Sequence, residues 1–433
     1  MMRIRSRLAR AVAVGAALAL IPPLAACGGD DAGGTPDQIR ILVYGDGTNR
    51  VEAQIVETFN RTSKVKAVLE TVPGADYEMR LRTIIDTDQA PDVFFNWGGG
   101  SIAPLVRAGL LLPLDDMIAK DPGLKDNFLP SVFDTAVVDG RAYGVPMRGT
   151  QPVLLFHNKK VLADNGLAPP RTWDDLLDAV DVLKARKITP IALGGGDQWP
   201  TQMWFQYLYD RVAGPELFRS ALAGEKDVWA SADSRRALDL LRQLTDAGAF
   251  GTSFDSVKFT DGGSPTLLAS GRAGFELMGS WAYSTHHDAN PEFARNDLGW
   301  TTFPRVPGGK GDRRNVAGNT NNFYSVHHRT RHPEAVAEFL KLMYSAEFVR
   351  AQLAIGNLPT TVDTGEFLDS AGNPAYARFQ YDLVKRAPSF QLSWDQAYPP
   401  AATTTIHRAV QQYTNGRMDA DGFIKAMQSL QAG

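Results

Sequence analysis

The sequence predicts an α/β protein divided into two domains, and three observations indicate this. The chain has 433 residues, more than one hydrophobic core usually supports, with 44% apolar residues. Strand and helix patterns alternate from residue 39 to residue 95. A second alternating series begins near residue 172, after an extended segment bracketed by prolines.

The first 26 residues predict a signal peptide. Four arginines precede the apolar run AVAVGAALALI at 11–21, and small residues follow it up to Cys27. The run is shorter than the ~20 residues that a membrane-spanning helix needs. Residues 27–37 are glycine-rich and polar, and predict a flexible tether.

The first series predicts a parallel sheet covered by helices. Its strands are the apolar segments IRILVY (39–44), VKAVLETV (65–72) and DVFF (92–95). Apolar residues at helical spacing separate these segments. In such sheets a ligand binds beyond the carboxyl ends of the strands, where the loops GDGTN (45–49) and NWGGG (96–100) would lie.

The middle of the chain predicts a crossover into a second domain. Pro146 and Pro152 bracket a polar stretch of an extended segment, as expected where a strand leaves one domain for another. Thr172 and Asp175 then form a capping box for a helix. The strand ITPIAL (188–193) follows, and it also ends in three glycines and a tryptophan.

The order of several quoted stretches resembles that of the extracellular solute-binding proteins of bacterial ABC sugar importers, the group with maltose- and oligosaccharide-binding proteins. These stretches are LAAC before the tether, PDVFF, YGVPMRGTQPVLLFHNKK, TWDDLLDA, FELMGSW and NVAGNTNNFYSV with the helix after it. The resemblance covers essentially the whole chain. Within the group the sequence is most similar to actinobacterial lipoproteins that bind xylobiose and related xylo-oligosaccharides.

The resemblance implies a two-lobed periplasmic-binding-protein-like fold, with hinge-linked lobes and a ligand cleft between them. Crossings are expected near 146–151, 275–280 and 316–323. Lobe 1 is expected to comprise 38–147 plus 280–318, and lobe 2 to comprise 148–279 plus 319–433. LAAC resembles a lipobox, which implies a lipid on Cys27, the only cysteine, and a monomer anchored to the outer face of the cytoplasmic membrane.

The resemblance also implies the site residues. A sugar ring has an apolar C–H face and a belt of hydroxyls, so its site needs flat aromatic platforms and polar groups. The expected platforms are Trp97, Trp199, Trp281 and Trp394, with Trp204 as a replacement for Trp199. Trp173, Trp229 and Trp300 are assigned to packing. The expected polar residues are Asp46, Asn49, Asn96, Arg148, Asn319, Asn321, Asp395 and Gln396, with pairing to Asp46 as an alternative role for Arg148.

The predicted function is capture of a small oligosaccharide, xylobiose or a xylo-oligosaccharide, and its delivery to membrane permease subunits, without cofactor or metal. A lipid-anchored hydrolase and a receptor for cellobiose or an amino sugar are the alternatives. Common hydrolase and nucleotide-binding motifs are absent. The seven histidines are expected in loops or on the surface. A net charge of −3, with no basic block after residue 27, argues against nucleic acid as a partner.

Overall fold

The computed structural model describes residues 37–430 except 47, 261 and 321. The predicted signal peptide (1–26), the lipidation site Cys27 and nearly all of the predicted tether lie outside these residues, as does Asn321. Over the described range, no helix has the length and apolar character needed to cross a membrane.

Thirteen strands occur in the described residues. They are β1 (Gln38–Gly45), β2 (Lys66–Pro73), β3 (Val93–Asn96), β4 (Val137–Val138), β5 (Arg141–Ala142), β6 (Val145–Pro146), β7 (Gln151–Asn158), β8 (Thr189–Ala192), β9 (Ala273–Gly279), β10 (Leu298–Thr301), β11 (Val316–Asn319), β12 (Phe323–Val326) and β13 (Phe390–Leu392).

Twenty α-helices accompany the strands in the same part of the chain. They are α1 (Asn49–Thr62), α2 (Gly74–Ile84), α3 (Ala103–Arg107), α4 (Asp115–Lys120), α5 (Gly123–Asp126), α6 (Pro130–Phe133), α7 (Lys159–Asp164), α8 (Trp173–Ala185), α9 (Trp199–Ala213), α10 (Pro215–Leu222), α11 (Ala232–Asp246), α12 (Ser264–Ala269), α13 (Ala282–Ala289), α14 (Pro291–Asn296), α15 (Pro333–Lys341), α16 (Ala346–Ala354), α17 (Pro374–Arg386), α18 (Trp394–Ala397), α19 (Pro400–Thr414) and α20 (Ala420–Gln428).

The first sheet has the strand order β2-β1-β3-β12-β6. Strand β1 pairs in parallel with β2 and β3, which confirms the parallel arrangement predicted for residues 39–95. Strand β12 lies antiparallel to β3 and to β6. A return strand from far along the chain therefore completes this sheet.

The second sheet has the order β13-β11-β7-β9-β8, with β10 also paired to β7. Strand β7 is buried along its whole length, because β9 lies on one side and β10 and β11 share the other. Helix α8 begins with the predicted capping box, in which the Thr172 side chain accepts a hydrogen bond from the Asp175 backbone and Asp175 accepts from Thr172.

Each sheet has its own hydrophobic core, and the two cores define two lobes. The first-lobe core extends from Ile39 to Met147 and resumes with Tyr324 to Phe348. The second-lobe core includes Val153 to Ala317 and resumes with Tyr376 to Leu430. The predicted α/β fold with two lobes is thus observed.

The predicted assignment of two segments to the lobes is wrong. Residues 280–318, expected in lobe 1, pack into the second core through Tyr283, Leu298 and Ala317. Strand β12 and helix α15, expected in lobe 2, belong to the first sheet and core. The expectation failed because strand β9 pairs with β7 and β8, so the chain stays in the second lobe after residue 279.

The crossings between the lobes follow from this pairing. Residues 147–150 connect β6 to β7, and residues 320–322 connect β11 to β12, in agreement with two of the expected crossings. The crossing expected at 275–280 is absent from the described chain, and the third connection instead runs between α16 and α17. It touches the first crossing where the Thr150 N–H donates to the Leu358 carbonyl at 2.7 Å.

Candidate functional site

Four aromatic rings meet at the carboxyl ends of the first-lobe strands. Trp97, the residue after β3, makes edge-to-face contacts with Phe95, Tyr44 and Tyr77, with ring centroids 4.9, 5.7 and 5.9 Å apart. The Tyr77 hydroxyl donates to the Phe95 carbonyl at 2.6 Å. Trp97 is half-buried, so these contacts hold the indole in place and leave part of it uncovered.

Asn96 fixes the loop that carries Trp97 and is not available to a ligand, which corrects its predicted role. Its side chain is 4% exposed, accepts from the Gly98 N–H at 2.9 Å and donates to the Ser325 hydroxyl at 2.5 Å. Gly98 has φ +70°, a conformation that favours glycine. An added Cβ there would also lie 2.6 Å from the Phe323 ring.

The two glycines that follow allow the lobes to touch. A Cβ added at Gly99 would lie 2.9 Å from the Gln396 carbonyl oxygen, and one at Gly100 would lie 2.7 Å from the Ala397 carbonyl oxygen. The loop with Gly99 and Gly100 belongs to the first lobe and helix α18 to the second, so the two backbones are in contact across the lobe boundary. On the same boundary, Arg50 of α1 donates to Asp288 of α13 at 2.7 Å.

The second lobe carries a pair of partly exposed tryptophans. Trp199 begins α9 and Trp281 follows β9, and their ring centroids are 6.0 Å apart. Phe259 supports Trp199 edge-on at 5.7 Å. A side chain on Gly279 would overlap the Trp281 ring, so this glycine lets the indole lie over the end of the strand.

Trp394 and Trp204 are core residues, and their predicted roles as platforms are wrong. Trp394 has no exposed surface and stacks on Phe218, with centroids 4.9 Å apart and an interplanar angle of 1°. Trp204 is equally buried, against Phe250 and Phe303. Neither ring has a face for a ligand. The packing role predicted for Trp173 and Trp229 is confirmed by their burial, and Trp300 packs edge-on against Tyr376.

Arg148 forms a buried ion-pair network instead of a direct ligand contact. Its side chain is 2% exposed, and all three guanidinium nitrogens are engaged. They donate to Glu52 at 2.7 Å, to Asp46 at 2.9 Å and to the Tyr44 carbonyl at 2.9 Å. The alternative that paired Arg148 with Asp46 is therefore the correct one, and direct binding of ligand hydroxyls by Arg148 is wrong.

Asp46 remains available to a ligand. One carboxylate oxygen accepts from the Thr48 backbone and hydroxyl at 2.9 and 2.6 Å, and the other pairs with Arg148. The side chain is still 33% exposed. Asn49, the first residue of α1, is half-buried. Asn319 is 8% exposed and donates to Gln151 at 3.0 Å, so it bonds between β11 and β7 of the second sheet, which corrects its predicted contact with ligand.

Carboxylates of both lobes act electrostatically on Tyr44. Burial raises the pKa of Tyr44 to about 12, Asp46 adds to this, Arg148 opposes it, and Asp197 and Glu78 contribute further. Asp197 stands two residues before Trp199 in the second lobe. The Tyr44 and Trp97 cluster therefore lies within electrostatic range of the loop that carries Trp199.

The imidazole of His407 on α19 is also influenced by carboxylates of both lobes. Burial lowers the pKa of this imidazole, and the carboxylates of Asp395 and Glu78 oppose the shift. Glu78 belongs to α2 of the first lobe, whereas Asp395 and His407 belong to the second. Asp395 is 27% exposed, and Gln396 is 5% exposed. Carboxylates of both lobes therefore act on His407 as well.

Sequence reasoning missed several residues of this region. Tyr44 and Asp197 stand at strand ends, so the rule that ligands bind there could have found them. Glu78, Gln202 and His407 lie inside helices and carry no local signal. Glu52 looks like an ordinary first-turn acid of α1, and only its 2.7 Å contact with Arg148 marks it.

Three histidines depart from the predicted surface or loop positions. His157, His286 and His327 are 5%, 0% and 2% exposed. The His286 ring lies 3.1 Å from the Glu276 carboxylate in the second core. Among the described residues, no group of three or more histidine, cysteine, aspartate or glutamate side chains is arranged to hold a metal ion.

Partly exposed indoles lie in both lobes, and Asp46 of the first lobe and Asp395 of the second keep exposed carboxylate surface. The model of the bacterial extracellular solute-binding protein family matches residues 45–349, and the chain belongs to that family. The family and the relatives below are binding proteins, in agreement with the prediction of a receptor and not an enzyme.

Curated relatives cover the chain to different extents. It is 23% identical to the "Multiple sugar-binding protein" of Streptococcus mutans, over 78% of this chain and 79% of that protein. It is 23% identical to a "Probable sugar-binding periplasmic protein" of Brucella suis, over 88% and 89%. Against two extracellular-binding proteins of Pyrococcus horikoshii, the match spans only 46% and 57% of their length.

Solved structures support the fold over most of the chain. A structure from work on xylan utilization by Caldanaerobius polysaccharolyticus superposes with a TM-score of 0.82 and 25% identity, and covers 90% of this chain and 99% of the other. A chitin oligosaccharide binding protein superposes with a TM-score of 0.80 and 26% identity, over 90% and 98%.

Proposed function

We propose that this protein is the sugar-capturing receptor of an ABC importer and that its ligand is xylobiose or a short xylo-oligosaccharide. The observation that carries the proposal is the arrangement of Trp97 in one lobe and the Trp199 and Trp281 pair in the other. All three indoles are half-buried; Trp97 and Trp281 follow strand ends, and Trp199 begins helix α9. Such rings cover the C–H faces of a sugar when the lobes close on it.

The polar residues suit the hydroxyl belt of the same ligand. Asp46 and Asp395 keep exposed carboxylate surface, at 33% and 27%. Carboxylates accept hydrogen bonds from hydroxyls, and such charge-assisted bonds are stronger than neutral ones. Stacking and hydrogen bonds worth ~1 kcal/mol each give micromolar or better affinity for a disaccharide.

Similarity to known proteins supports the class of ligand. Relatives named as sugar-binding cover more than three quarters of the chain. The structure from the xylan-utilization study, at 25% identity, favours a xylan-derived ligand. The loaded receptor would differ from the empty one in lobe closure, and permease subunits would recognise it by preferring the closed form.

The proposed location is the outer face of the cytoplasmic membrane, by a lipid on Cys27. The support is the sequence alone: an arginine-rich start, a short apolar run and LAAC ending at the only cysteine. The proposal includes a monomeric receptor. Mass spectrometry of the membrane fraction tests the lipid, because a Cys27→Ala variant should lose both the added mass and the membrane association.

A second ligand candidate is a chitin-type oligosaccharide. The chitin oligosaccharide binding protein matches this chain about as well as the structure from the xylan study does, with 26% identity. Both ligands are β-linked chains of pyranose rings with apolar C–H faces, so aromatic platforms suit either. The acetamido group of the chitin-type ring is the chemical difference that the site must accept or reject.

Calorimetric titration of residues 28–433 with xylobiose, cellobiose, maltose and chitobiose tests the proposal. We expect xylobiose to bind most tightly, with micromolar or lower Kd. Tightest binding of chitobiose would favour the second candidate. Absence of binding to all four sugars would contradict capture of such disaccharides, and turnover of aryl xylosides would contradict a receptor without catalysis.

A further inference from the structure

Three second-lobe helices meet at a polar cluster formed by Gln202, Asp395 and His407. The Gln202 amide of α9 donates to one carboxylate oxygen of Asp395 at 3.4 Å. The other oxygen lies 4.0 Å from Nε2 of His407 on α19. The Thr403 hydroxyl donates to the Asp395 backbone carbonyl at 2.9 Å, which ties α18 to α19. The cluster is therefore held in place from all three helices.

Two atoms of this cluster have no hydrogen-bond partner. Gln202 is 1% exposed, and its Oε1 is buried without a donor. His407 Nε2 is also buried and unpartnered. An unsatisfied buried polar atom destabilises the folded state, so two of them in one cluster indicate that a partner is missing. A gap of 4.0 Å between Nε2 and the carboxylate is too long for a direct hydrogen bond, and one hydroxyl oxygen can bond to both.

The cluster adjoins the proposed sugar site. Gln202 follows Trp199 by three positions on α9, a spacing that places two side chains on the same face of a helix. Helix α18, which carries Asp395, lies against the first-lobe loop that follows Trp97, since a Cβ added at Gly99 would be 2.9 Å from the Gln396 carbonyl oxygen. The cluster therefore adjoins both the second-lobe aromatic pair and the loop of Trp97.

We propose that Gln202, Asp395 and His407 form a hydroxyl-binding subsite at one end of the sugar cleft. This inference rests on the proposed function. One ring of the ligand would place a hydroxyl between His407 Nε2 and Asp395, and would donate from a neighbouring hydroxyl to Gln202 Oε1. Both unpartnered atoms are buried, so a ligand would reach them only when the cluster opens.

The chemistry of the subsite determines which ring it takes. Gln202 Oε1 and the carboxylate of Asp395 only accept hydrogen bonds. Hydroxyls donate to each of them, whereas an acetamido group offers one N–H and turns a carbonyl oxygen toward acceptors. The subsite therefore selects rings that carry plain hydroxyls, as in xylose or glucose, over N-acetylated rings.

Two variants and a matched control test the subsite. Gln202→Met and His407→Phe remove the unpartnered atoms and keep similar side-chain volumes. Gln411→Met is the control, because Gln411 lies one turn after His407 on α19 and its amide oxygen already accepts from Thr201 at 2.8 Å. Kd for xylobiose and for chitobiose is measured by calorimetry, and the Tm of the unliganded protein by circular dichroism.

We expect each of the two variants to weaken xylobiose binding about tenfold, with a Tm equal to or above that of the wild type. The control variant Gln411→Met should keep wild-type affinity and have a lower Tm than the wild type. If the wild type binds xylobiose and both variants bind it equally well, the proposed subsite is overturned and the proposed function still stands. Tighter wild-type binding of chitobiose than of xylobiose would overturn the hydroxyl selection, and a wild type that binds neither sugar would overturn both the subsite and the proposed ligand.

Discussion

The Arg148 guanidinium and the Glu52 carboxylate form a buried ion pair, with Nε and Oε1 2.7 Å apart and side chains 2% and 1% exposed. Glu52 lies on the first helix and Arg148 in a segment that joins the lobes. Burial raises the pKa of Glu52, and Arg148 opposes that shift. The pair therefore fastens one crossing segment to the first turn of α1.

Replacing Arg148 should destabilise the protein strongly. Arg148→Met leaves the Glu52 carboxylate buried without a partner, and such a loss costs about 3–5 kcal/mol in the free energy of unfolding. Urea denaturation of the ligand-free protein measures it. The double variant Arg148→Met, Glu52→Gln should lose less, because no unpaired charge remains. Equal losses in the single and double variants would show that the charge is not the cause.

Replacing Trp281 should weaken binding more than it weakens the fold. Trp281→Ala removes one of two adjacent indoles, and we expect Kd to rise about thirtyfold, or ~2 kcal/mol. Trp300→Ala is the matched control, because Trp300 is also half-buried but packs 4.8 Å from Tyr376 within the second lobe. Calorimetry and thermal melting should show lost affinity for the first variant and lost stability for the second.

A side chain at Gly100 should interfere with lobe closure. An alanine Cβ there would lie 2.7 Å from the Ala397 carbonyl oxygen of the other lobe, and backbone cannot move aside as a side chain can. Gly100→Ala should weaken ligand binding about tenfold and enlarge the radius of gyration of the liganded protein in X-ray scattering. Gly422→Ala, whose Cβ would meet only side chains of Asp419 and Met418, is the control. Identical scattering from both liganded variants would contradict a role in closure.

Acid should destabilise the second lobe through His157. Burial, with help from Lys159, lowers the pKa of this imidazole from 6.5 to about 4. Below pH 6.5 the unfolded chain binds a proton that the folded state does not. The stabilisation is thus complete above pH 6.5 and is lost as pH falls through 4, by up to about 3 kcal/mol.

Unfolding by urea at pH 7 and pH 4.5 measures this dependence. His157→Gln should lose less stability between these pH values than the wild type does. His287→Gln, at a side chain that is 44% exposed, should match the wild type. The same pH dependence in all three proteins would contradict the assignment to His157.

Structural features that depend on neighbouring residues in the chain could be predicted from local sequence patterns. The order of strands and helices through residue 95, the capping box of α8 and the partly exposed Trp97, Trp199 and Trp281 could be inferred from spacing and resemblance. These features follow from side-chain periodicity and from loops at strand ends.

Distant contacts account for the errors. Trp394 is buried by Phe218, which lies far away in the chain, so nothing near residue 394 indicates a core position. Strand β12 joins the first sheet by pairing with β3, more than two hundred residues earlier. Asn96 follows a strand as a ligand residue would, and only its bond to Ser325 shows that it positions the loop.

The place of β12 between β3 and β6 has a consequence for biogenesis. During synthesis the first lobe cannot complete its sheet until residues 323–326 have left the ribosome, because β3 and β6 have no direct pairing to each other. A nascent chain with that central gap stays open through most of translation. Such delayed completion suits a polypeptide that has to be threaded through a membrane before it folds.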